Sequence, residues 1–323
     1  MSAIQEIPVI LNKNAGRKSA LALWLERLVI RPDVVAKEWA WTGQQIEQAV
    51  IEAFHDRGVR ARLFVTQSPG HATQIAQILL RQGEPLIAVA GGDGTINEAV
   101  NALAGSKTAV GILPLGTANT FAIELGIPFS IPGAVEIIMQ KKVRTIDLGK
   151  AGNHYFMMGA GMSFDSHVIR KIRSHEKRSL GSVAYILTGI SESLRYSFPR
   201  LRVESHDGLG AIKSDGYLVI VSNARFYGGC FKAAPRALLD DGLLDVIVMK
   251  KRRVWDLLRY LSVMRKADIT RLSDVDYFQC RKFCVTAESE VEIHVDAEVA
   301  EKTPCTFECI PGALKVIVPG HAV

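Results

Sequence analysis

Short apolar runs alternate with stretches of helical period over the first 140 or so residues. The runs are Ile7 to Leu11, Val59 to Thr66, the segment from Pro85 to Ala90, and Ala109 to Leu113. Each is short and bounded by Gly, Pro or Asn, as a buried strand is. Between them, Gln44 to Phe54 carries the stripe Ile46, Ala49, Val50, Ala53, Phe54 and ends at Gly58. Ser68-Pro69 opens a helix whose buried face is Ala72, Ile75, Ala76 and Leu79. Ile96, Ala99, Val100, Leu103 and Ala104 form a third stripe, and Ala118, Phe121, Ala122 and Leu125 a fourth. This spacing is that of amphipathic helices. Ser19 to Val29 is expected to be another helix, in a stretch holding Trp24, Trp39 and Trp41. Those tryptophans fit an extra packing layer better than a membrane-touching or dimerising insertion. Strands alternating with helices predict a parallel sheet with its loops at one edge.

Around Lys141 to Asp147 the pattern changes. Short strands separated by Gly, Asn and Asp turns follow: Ile146–Gly149, Tyr155–Gly159, Leu201–Ser205, Tyr217–Val221, Val246–Met249, Phe283–Thr286 and Val291–Val295. They predict an antiparallel sandwich with inserted helices at Val183 to Leu194 and Val254 to Met264. A last apolar strand, Ala313 to Val318, lies between Gly312 and Pro319. With 323 residues, two domains are expected.

The chemistry concentrates where strands meet helices. Gly91-Gly92-Asp93-Gly94-Thr95 joins the third strand to its helix, and Pro114-Leu115-Gly116-Thr117 repeats the arrangement after the fourth. Without side chains, glycines let main-chain N–H groups crowd around a phosphate, and the following helix directs its positive end there. Thr95 and Glu98 also have the spacing of a capping box, which would make them helix starters and nothing more. The loops lack the Gly-Lys-Ser/Thr ending of a Walker A motif and the Gly-x-Gly-x-x-Gly fingerprint, which disfavours an ordinary P-loop NTPase or a dehydrogenase. Asn12-Lys13-Asn14-Ala15-Gly16 follows the first strand, where a phosphate-facing loop or an ordinary Asn/Gly turn would sit.

Composition narrows the partners. A formal charge of +6 favours anions: nucleotides, an anionic membrane surface or nucleic acid. Basic clusters lie at Lys141-Lys142-x-Arg144, Arg170-Lys171-x-Arg173, Lys177-Arg178 and Lys250 to Arg253, without the aromatic interleaving of an RNA-binding sheet. Nucleic acid is therefore not expected. No run is long and apolar enough to span a bilayer, and Glu6 breaks a secretory-signal reading, so a cytoplasmic location is expected. Five cysteines, an odd number, fit a reducing compartment. Cys280-x3-Cys284 and Cys305-x3-Cys309 have zinc-compatible spacing, but four-residue spacing on a strand shares a face, and a buried apolar role is favoured.

Gly91-Gly92-Asp93-Gly94-Thr95-Ile96-Asn97-Glu98 and Pro114-Leu115-Gly116-Thr117-Ala118-Asn119-Thr120-Phe121-Ala122 resemble the two nucleotide loops of the diacylglycerol kinase catalytic-domain family. That family includes bacterial diacylglycerol kinases and relatives of sphingosine and ceramide kinases. The first five residues are shared with NAD kinases, while the Asn97-Glu98 continuation and the second loop are similar to lipid kinases. Gly159-x-Gly161-x-x-Phe164-Asp165, Lys177-Arg178-x-x-Gly181-x-x-Ala184-Tyr185 and Asn223-x4-Gly228-Gly229 resemble further landmarks.

The resemblance implies an α/β fold: a parallel-sheet nucleotide-binding domain over residues 1–144, joined by a returning strand at 311–323, and a β-sandwich lipid-substrate domain over 145–310. It implies ATP and Mg²⁺ as cofactors. The nucleotide would be held by Asn12, Lys13, Asn14, Ala15, Gly16, Thr66, Gly91, Gly92, Gly94, Thr95, Asn97, Glu98, Gly116, Thr117 and Asn119. In the segment Pro235 to Asp245, a structural Mg²⁺ would take the Asp241 carboxylate and the carbonyls of Leu238 and Leu243; an Asp-Gly turn is the plain alternative. Asp296-Ala297-Glu298 resembles the family's Asp-Gly-Glu. It makes Glu298 the base for the lipid hydroxyl, Asp296 its support, and Asp93 the residue orienting catalytic Mg²⁺. Lys13 stands where the family has proline, Ala297 where it has glycine, and Thr120 where it often has aspartate.

The expected function is ATP-dependent phosphorylation of a free hydroxyl on diacylglycerol or a similar lipid, with peripheral contact at an anionic membrane; a homodimer is left open. The rivals are a kinase for another hydroxyl, an inactive lipid- or nucleotide-binding regulator, an NAD kinase and, on charge alone, a nucleic-acid binder.

Overall fold

The computed structural model describes residues 5–16, 41–173, 189, 191–193, 195–205, 211–229 and 231–320, without the side chains of 172 and 173. The expected helices Ser19–Val29 and Val183–Leu194, Trp24, Trp39 and the Lys177 to Tyr185 landmark lie outside the described residues, Gly189 and Ser191 to Ser193 excepted. The chain divides into two compact units, Met1–Ile146 with Gly312–Val323, and Asp147–Pro311.

The first unit begins with β1 (Glu6–Leu11), α1 (Gly43–His55), β2 (Arg60–Val65), α2 (His71–Arg81) and β3 (Leu86–Gly91). It continues with α3 (Asp93–Leu103), β4 (Ala109–Pro114), α4 (Thr120–Leu125) and α5 (Ile131–Gln140). The strands are parallel in the order β2-β1-β3-β4. The predicted stripes supply its core: Val50 and Phe54, Ala72 and Leu79, Ile96 and Leu103, Phe121 and Leu125 are all buried. Thr42 caps α1 in a capping box with Gln45, which fixes that helix's start. Helix α2 starts at His71, two residues beyond Pro69, because Gly70 takes a left-handed φ of 81° ahead of it.

The second unit carries β5 (Val143–Ala151, which enters it from the first), β6 (His154–Phe156), β7 (Gly159–Met162) and α6 (Phe164–Arg173). Next come β8 (Leu201–Ser205), β9 (Ile212–Gly216), β10 (Leu218–Ser222), β11 (Phe226–Tyr227) and β12 (Phe231–Lys232). The remainder is β13 (Leu244–Met249), α7 (Val254–Lys266), β14 (Val275–Cys280), β15 (Lys282–Ala287), β16 (Glu292–Val295), β17 (Glu298–Lys302) and β18 (Cys305–Ile317). One antiparallel sheet runs β14-β13-β10-β7-β16-β17. Facing side chains of this sheet and of β8, β15 and β18 make one buried cluster that includes Met162, Val203, Val246, Phe283, Ile293 and Phe307. A second cluster, including Phe164, Ile220, Ile247, Tyr260 and Met264, covers the sheet's other face with α6 and α7. Strand β18 then returns to the first unit: Cys305 pairs with Val285 of β15, and Lys315 pairs in parallel with Ala109 of β4.

Candidate functional site

In the first unit the two glycine turns meet backbone to backbone. A Cβ on Gly92 would lie 3.0 Å from the Gly116 Cα, and one on Gly91 would lie 2.7 Å from the Thr95 Cβ. Side chains are therefore sterically excluded where the turns touch, and main-chain groups line the join. Asp93 couples the turns. Its Oδ2 accepts the Thr120 N–H at 3.0 Å and its Oδ1 the Phe121 N–H at 3.2 Å. Burial pushes the Asp93 pKa up, and these two N–H groups and the Thr120 hydroxyl oppose that shift. Both carboxylate oxygens are thus engaged with the second loop. Asn119, at φ 47°, accepts the Gly116 N–H (2.8 Å) and donates to the Gly116 carbonyl (2.9 Å), closing that turn on itself.

The capping-box reading of Thr95 and Glu98 fails. Helix α3 starts at Asp93 behind Gly92, so both residues lie inside it. Glu98 reaches across instead: its Oε2 accepts the Ala72 N–H at 3.1 Å in the first turn of α2, and its carbonyl accepts from the Thr73 hydroxyl. This satisfies an N–H that a helix start leaves unpaired. Asn97 is buried and accepts from the Asn101 amide. Asn12 donates to the Thr95 hydroxyl at 2.9 Å and accepts the Asn14 N–H at 3.0 Å, so the loop Asn12 to Gly16 joins the glycine turns. The Lys13 ammonium pairs with Glu47 of α1. Thr66 follows β2, its N–H on the Leu11 carbonyl, and Thr117 is half-buried in the second turn. His71 is structural: its Nδ1 accepts the Gln67 N–H at 3.1 Å at the start of α2.

In the second unit Asp296 and Ala297 form the two-residue turn between β16 and β17, where Val295 pairs with Glu298. Their φ values are 44° and 65°, as a type I′ hairpin requires. Aspartate tolerates this region, but alanine sits in it at a cost of about 1–2 kcal/mol, which glycine would avoid. Asp296 fixes the turn: its carboxylate accepts N–H bonds from Met157 (2.8 Å), Met158 (3.0 Å) and Gly159 (3.1 Å). Three main-chain donors converge on the Asp296 carboxylate, a hairpin-anchoring geometry beside the expected support of metal or hydroxyl. Glu298 is the first residue of β17 and half-buried.

The acidic loop before β13 wraps around Asp147. The Asp147 Oδ2 accepts the Gly242 N–H at 2.7 Å, and the Asp147 N–H reaches the Leu239 carbonyl at 2.6 Å. Asp241 accepts the Leu243 N–H at 3.0 Å, and its pKa is raised by burial with help from the Asp147 and Asp240 charges. Asp245 is pushed up to about 6 by burial. Among the described residues no group of three His, Cys, Asp or Glu side chains could hold a metal. A hard cation such as Mg²⁺ takes a different donor set, a carboxylate with main-chain carbonyls, and a cation would relieve the repulsion around Asp241. Zinc has no such support: Cys280, Cys305 and Cys309 pack in the sandwich core, and burial raises the thiols of Cys305 and Cys309 to about 11 and about 12.

Several polar residues of this unit were not singled out as site residues in the sequence. Asp147 orders the acidic loop, and buried Asp165 and His294 form a cluster with half-buried Tyr227 at the Glu298 hairpin. Asp165 was legible as part of a glycine-rich landmark; the signal for His294 is a polar residue opposite the apolar face of Val291, Ile293 and Val295.

Residues 40–151 match the diacylglycerol kinase catalytic domain, and residues 158–318 match the YegS C-terminal NAD kinase beta sandwich-like domain. Curated relatives named diacylglycerol kinase include one from Staphylococcus epidermidis, 26% identical over 264 residues and covering 81% of this chain and 83% of its own. Another, from Staphylococcus aureus, is 27% identical over 268 residues, covering 82% and 84%. A crystal structure of a diacylglycerol kinase from Bacillus anthracis has the same fold, with a TM-score of 0.74, 24% identity and 99% of both chains covered.

Proposed function

Because this chain belongs to the diacylglycerol kinase catalytic-domain family, whose members are lipid-directed phosphotransferases, we propose that it moves the γ-phosphate of ATP to the free hydroxyl of diacylglycerol or a lipid of similar headgroup. The observation that carries this reading is the pair of glycine turns held together by Asp93, with no room for a side chain at the join and the start of α3 behind it. Such a surface suits the phosphate tail of a nucleotide. Gly91, Gly92, Gly94, Thr95, Gly116, Thr117 and Asn119 form it, with Asn12, Asn14, Ala15 and Gly16 beside it and Thr66, Asn97 and Glu98 behind. Asp93 acts by fixing the two turns in register.

Glu298 is the base. As the lipid oxygen bonds to the γ-phosphorus and the bond to the β-phosphate bridge breaks, the hydroxyl proton passes to the Glu298 carboxylate. Phosphoryl transfer has a loose transition state, so positioning and charge neutralisation contribute more than the base does. A Mg²⁺ held near Asp93 on the nucleotide phosphates would supply part of that neutralisation. A second Mg²⁺, on the Asp241 carboxylate and the carbonyls of Leu238 and Leu243, would stiffen the acidic loop. Asp296 holds the hairpin that presents Glu298.

No helix among the described residues is long and apolar enough to cross a membrane. A surface for meeting the lipid is proposed on other ground: Trp255 is 79% exposed at the start of α7, two residues after the run Lys250 to Arg253. An exposed tryptophan beside lysines and arginines suits an anionic bilayer.

The test is transfer of labelled γ-phosphate to lipid in mixed micelles with Mg²⁺ and ATP, run over a lipid panel. Labelled phosphatidic acid is the expected product from diacylglycerol. Labelling of another hydroxyl lipid alone would reassign the substrate, and no transfer to any lipid would refute the reading.

A further inference from the structure

Three polar atoms of the second unit converge above Gly161. The Asp165 Oδ2, Tyr227 hydroxyl and His294 Nε2 all crowd the position that a Cβ of residue 161 would occupy. His294 Nε2 lies 2.8 Å from Asp165 Oδ2 and 2.6 Å from the Tyr227 oxygen, and the Tyr227 hydroxyl donates to Asp165. The His294 side chain is 2% exposed and that of Asp165 10%. The main chain is clamped as well: the His294 N–H donates to the Ser166 hydroxyl (3.1 Å), which donates to the Gly161 carbonyl (2.8 Å).

Burying an acid and a histidine is seldom a source of net stability, because desolvation offsets their attraction. Such groups are better at specifying one geometry than at strengthening it. The strand they act on needs specification. Register between β16 and β17 shifts between Ile293 and His294, where Ile293 pairs with Glu301 but His294 pairs with Val299. A bulge re-aims the side chains around it, and a one-residue slip there would send each side chain to the opposite face. Glu298 lies four residues beyond His294, so a slip would turn its carboxylate away.

We propose that Asp165, Tyr227 and His294 form a register lock, a set of positioning residues that holds the bulged hairpin in the single pairing that presents Glu298. The lock rests on the assignment of Glu298 as the base. It works because His294 pairs with Gly161 across β7 and its ring can reach Asp165 only in that register. The absent side chain at 161 makes the room for it. The His294 Nδ1 is buried without a protein partner, so the clamp acts through Nε2 alone.

The test compares Tyr227→Phe, His294→Leu and His294→Gln in the full chain, reading kcat, KM for ATP, thermal midpoint and hydrogen exchange of the amides of residues 298–302. Misplacement of a reacting group by about 1 Å costs about 10²-fold. Tyr227→Phe and His294→Leu are expected to lower kcat by about ten- to a hundredfold, leave KM for ATP unchanged and speed exchange in the hairpin. His294→Gln, whose amide nitrogen reaches the Nε2 position, should recover most of the loss. Wild-type kcat and exchange in Tyr227→Phe would overturn the lock, as would equal losses in folded His294→Leu and His294→Gln. If His294→Leu does not fold, Tyr227→Phe decides, since it removes one oxygen. Glu298→Gln separates the two ideas: an active Glu298→Gln with faster hairpin exchange in Tyr227→Phe would refute the base and leave the lock standing.

Discussion

Asp296 has two readings, metal or hydroxyl support against hairpin anchor, and replacing it by asparagine decides between them. Three N–H donors, from the buried residues Met157, Met158 and Gly159, converge on its half-buried carboxylate. Asparagine keeps one acceptor oxygen and turns an NH₂ donor toward the remaining N–H. Leaving a buried donor unsatisfied costs about 1–3 kcal/mol, and hydrogen bonds to a charged group are worth about 1.5–3 kcal/mol. Losing one bond and weakening the others amounts to about 3 kcal/mol. For a unit of this size that is a fall of about 6–12 °C in the unfolding transition. Calorimetry of the whole chain is the assay, with phosphotransfer measured on the same preparation. An unshifted transition together with abolished transfer would refute the anchor and return Asp296 to the metal or the substrate.

Other outcomes follow from the same geometry. Ala297→Gly should stabilise the hairpin, since relief of about 1–2 kcal/mol of left-handed strain outweighs the roughly 0.5–1 kcal/mol entropic cost of glycine; a lower melting temperature would contradict the turn. The Arg259 guanidinium beside Asp274, with the Tyr260 hydroxyl, holds that carboxyl down at about 2, below its unfolded value. The pair's stabilisation is therefore complete above about pH 4 and lost as pH falls toward 2. Asp274→Asn should flatten that part of an acid-unfolding curve, and an unchanged curve would count against the pair. Cys305 and Cys309, with thiols raised to about 11 and about 12 by burial, should resist alkylation at pH 8 until the chain is unfolded. Trp255→Ala should weaken sedimentation with anionic vesicles while leaving hydrolysis-resistant nucleotide binding intact; equal sedimentation would remove Trp255 from the membrane face.

Much of this arrangement was legible because local patterns and tertiary demands agreed. The stripes through Val50, Leu79, Leu103 and Phe121 are buried in helices where the periodicity put them. The two glycine turns were readable because close approach of Gly92 and Gly116 excludes every other residue type. The hairpin of Glu298 was less legible. Its type I′ turn normally advertises itself by Asp-Gly or Asn-Gly, and Ala297 hides that signal, so strand Glu298–Lys302 went unseen. Glu98 misled for a related reason. Its spacing from Thr95 is local, whereas its partner, the Ala72 N–H, lies 26 residues away and is brought close only by the packing of α2 on α3. The Lys13 pairing with Glu47 is long-range in the same way, on a helix that no motif links to the loop. Polar clusters such as Asp165, Tyr227 and His294 depend on long-range convergence and leave almost no trace in spacing.

The most direct measurement of the central claim is γ-phosphate transfer to diacylglycerol in mixed micelles by the wild type and Glu298→Gln side by side. Loss of a general base lowers rates by about 10²–10⁴-fold, so the variant should fall at least a hundredfold with KM for ATP unchanged. Equal rates in the two proteins would contradict the account.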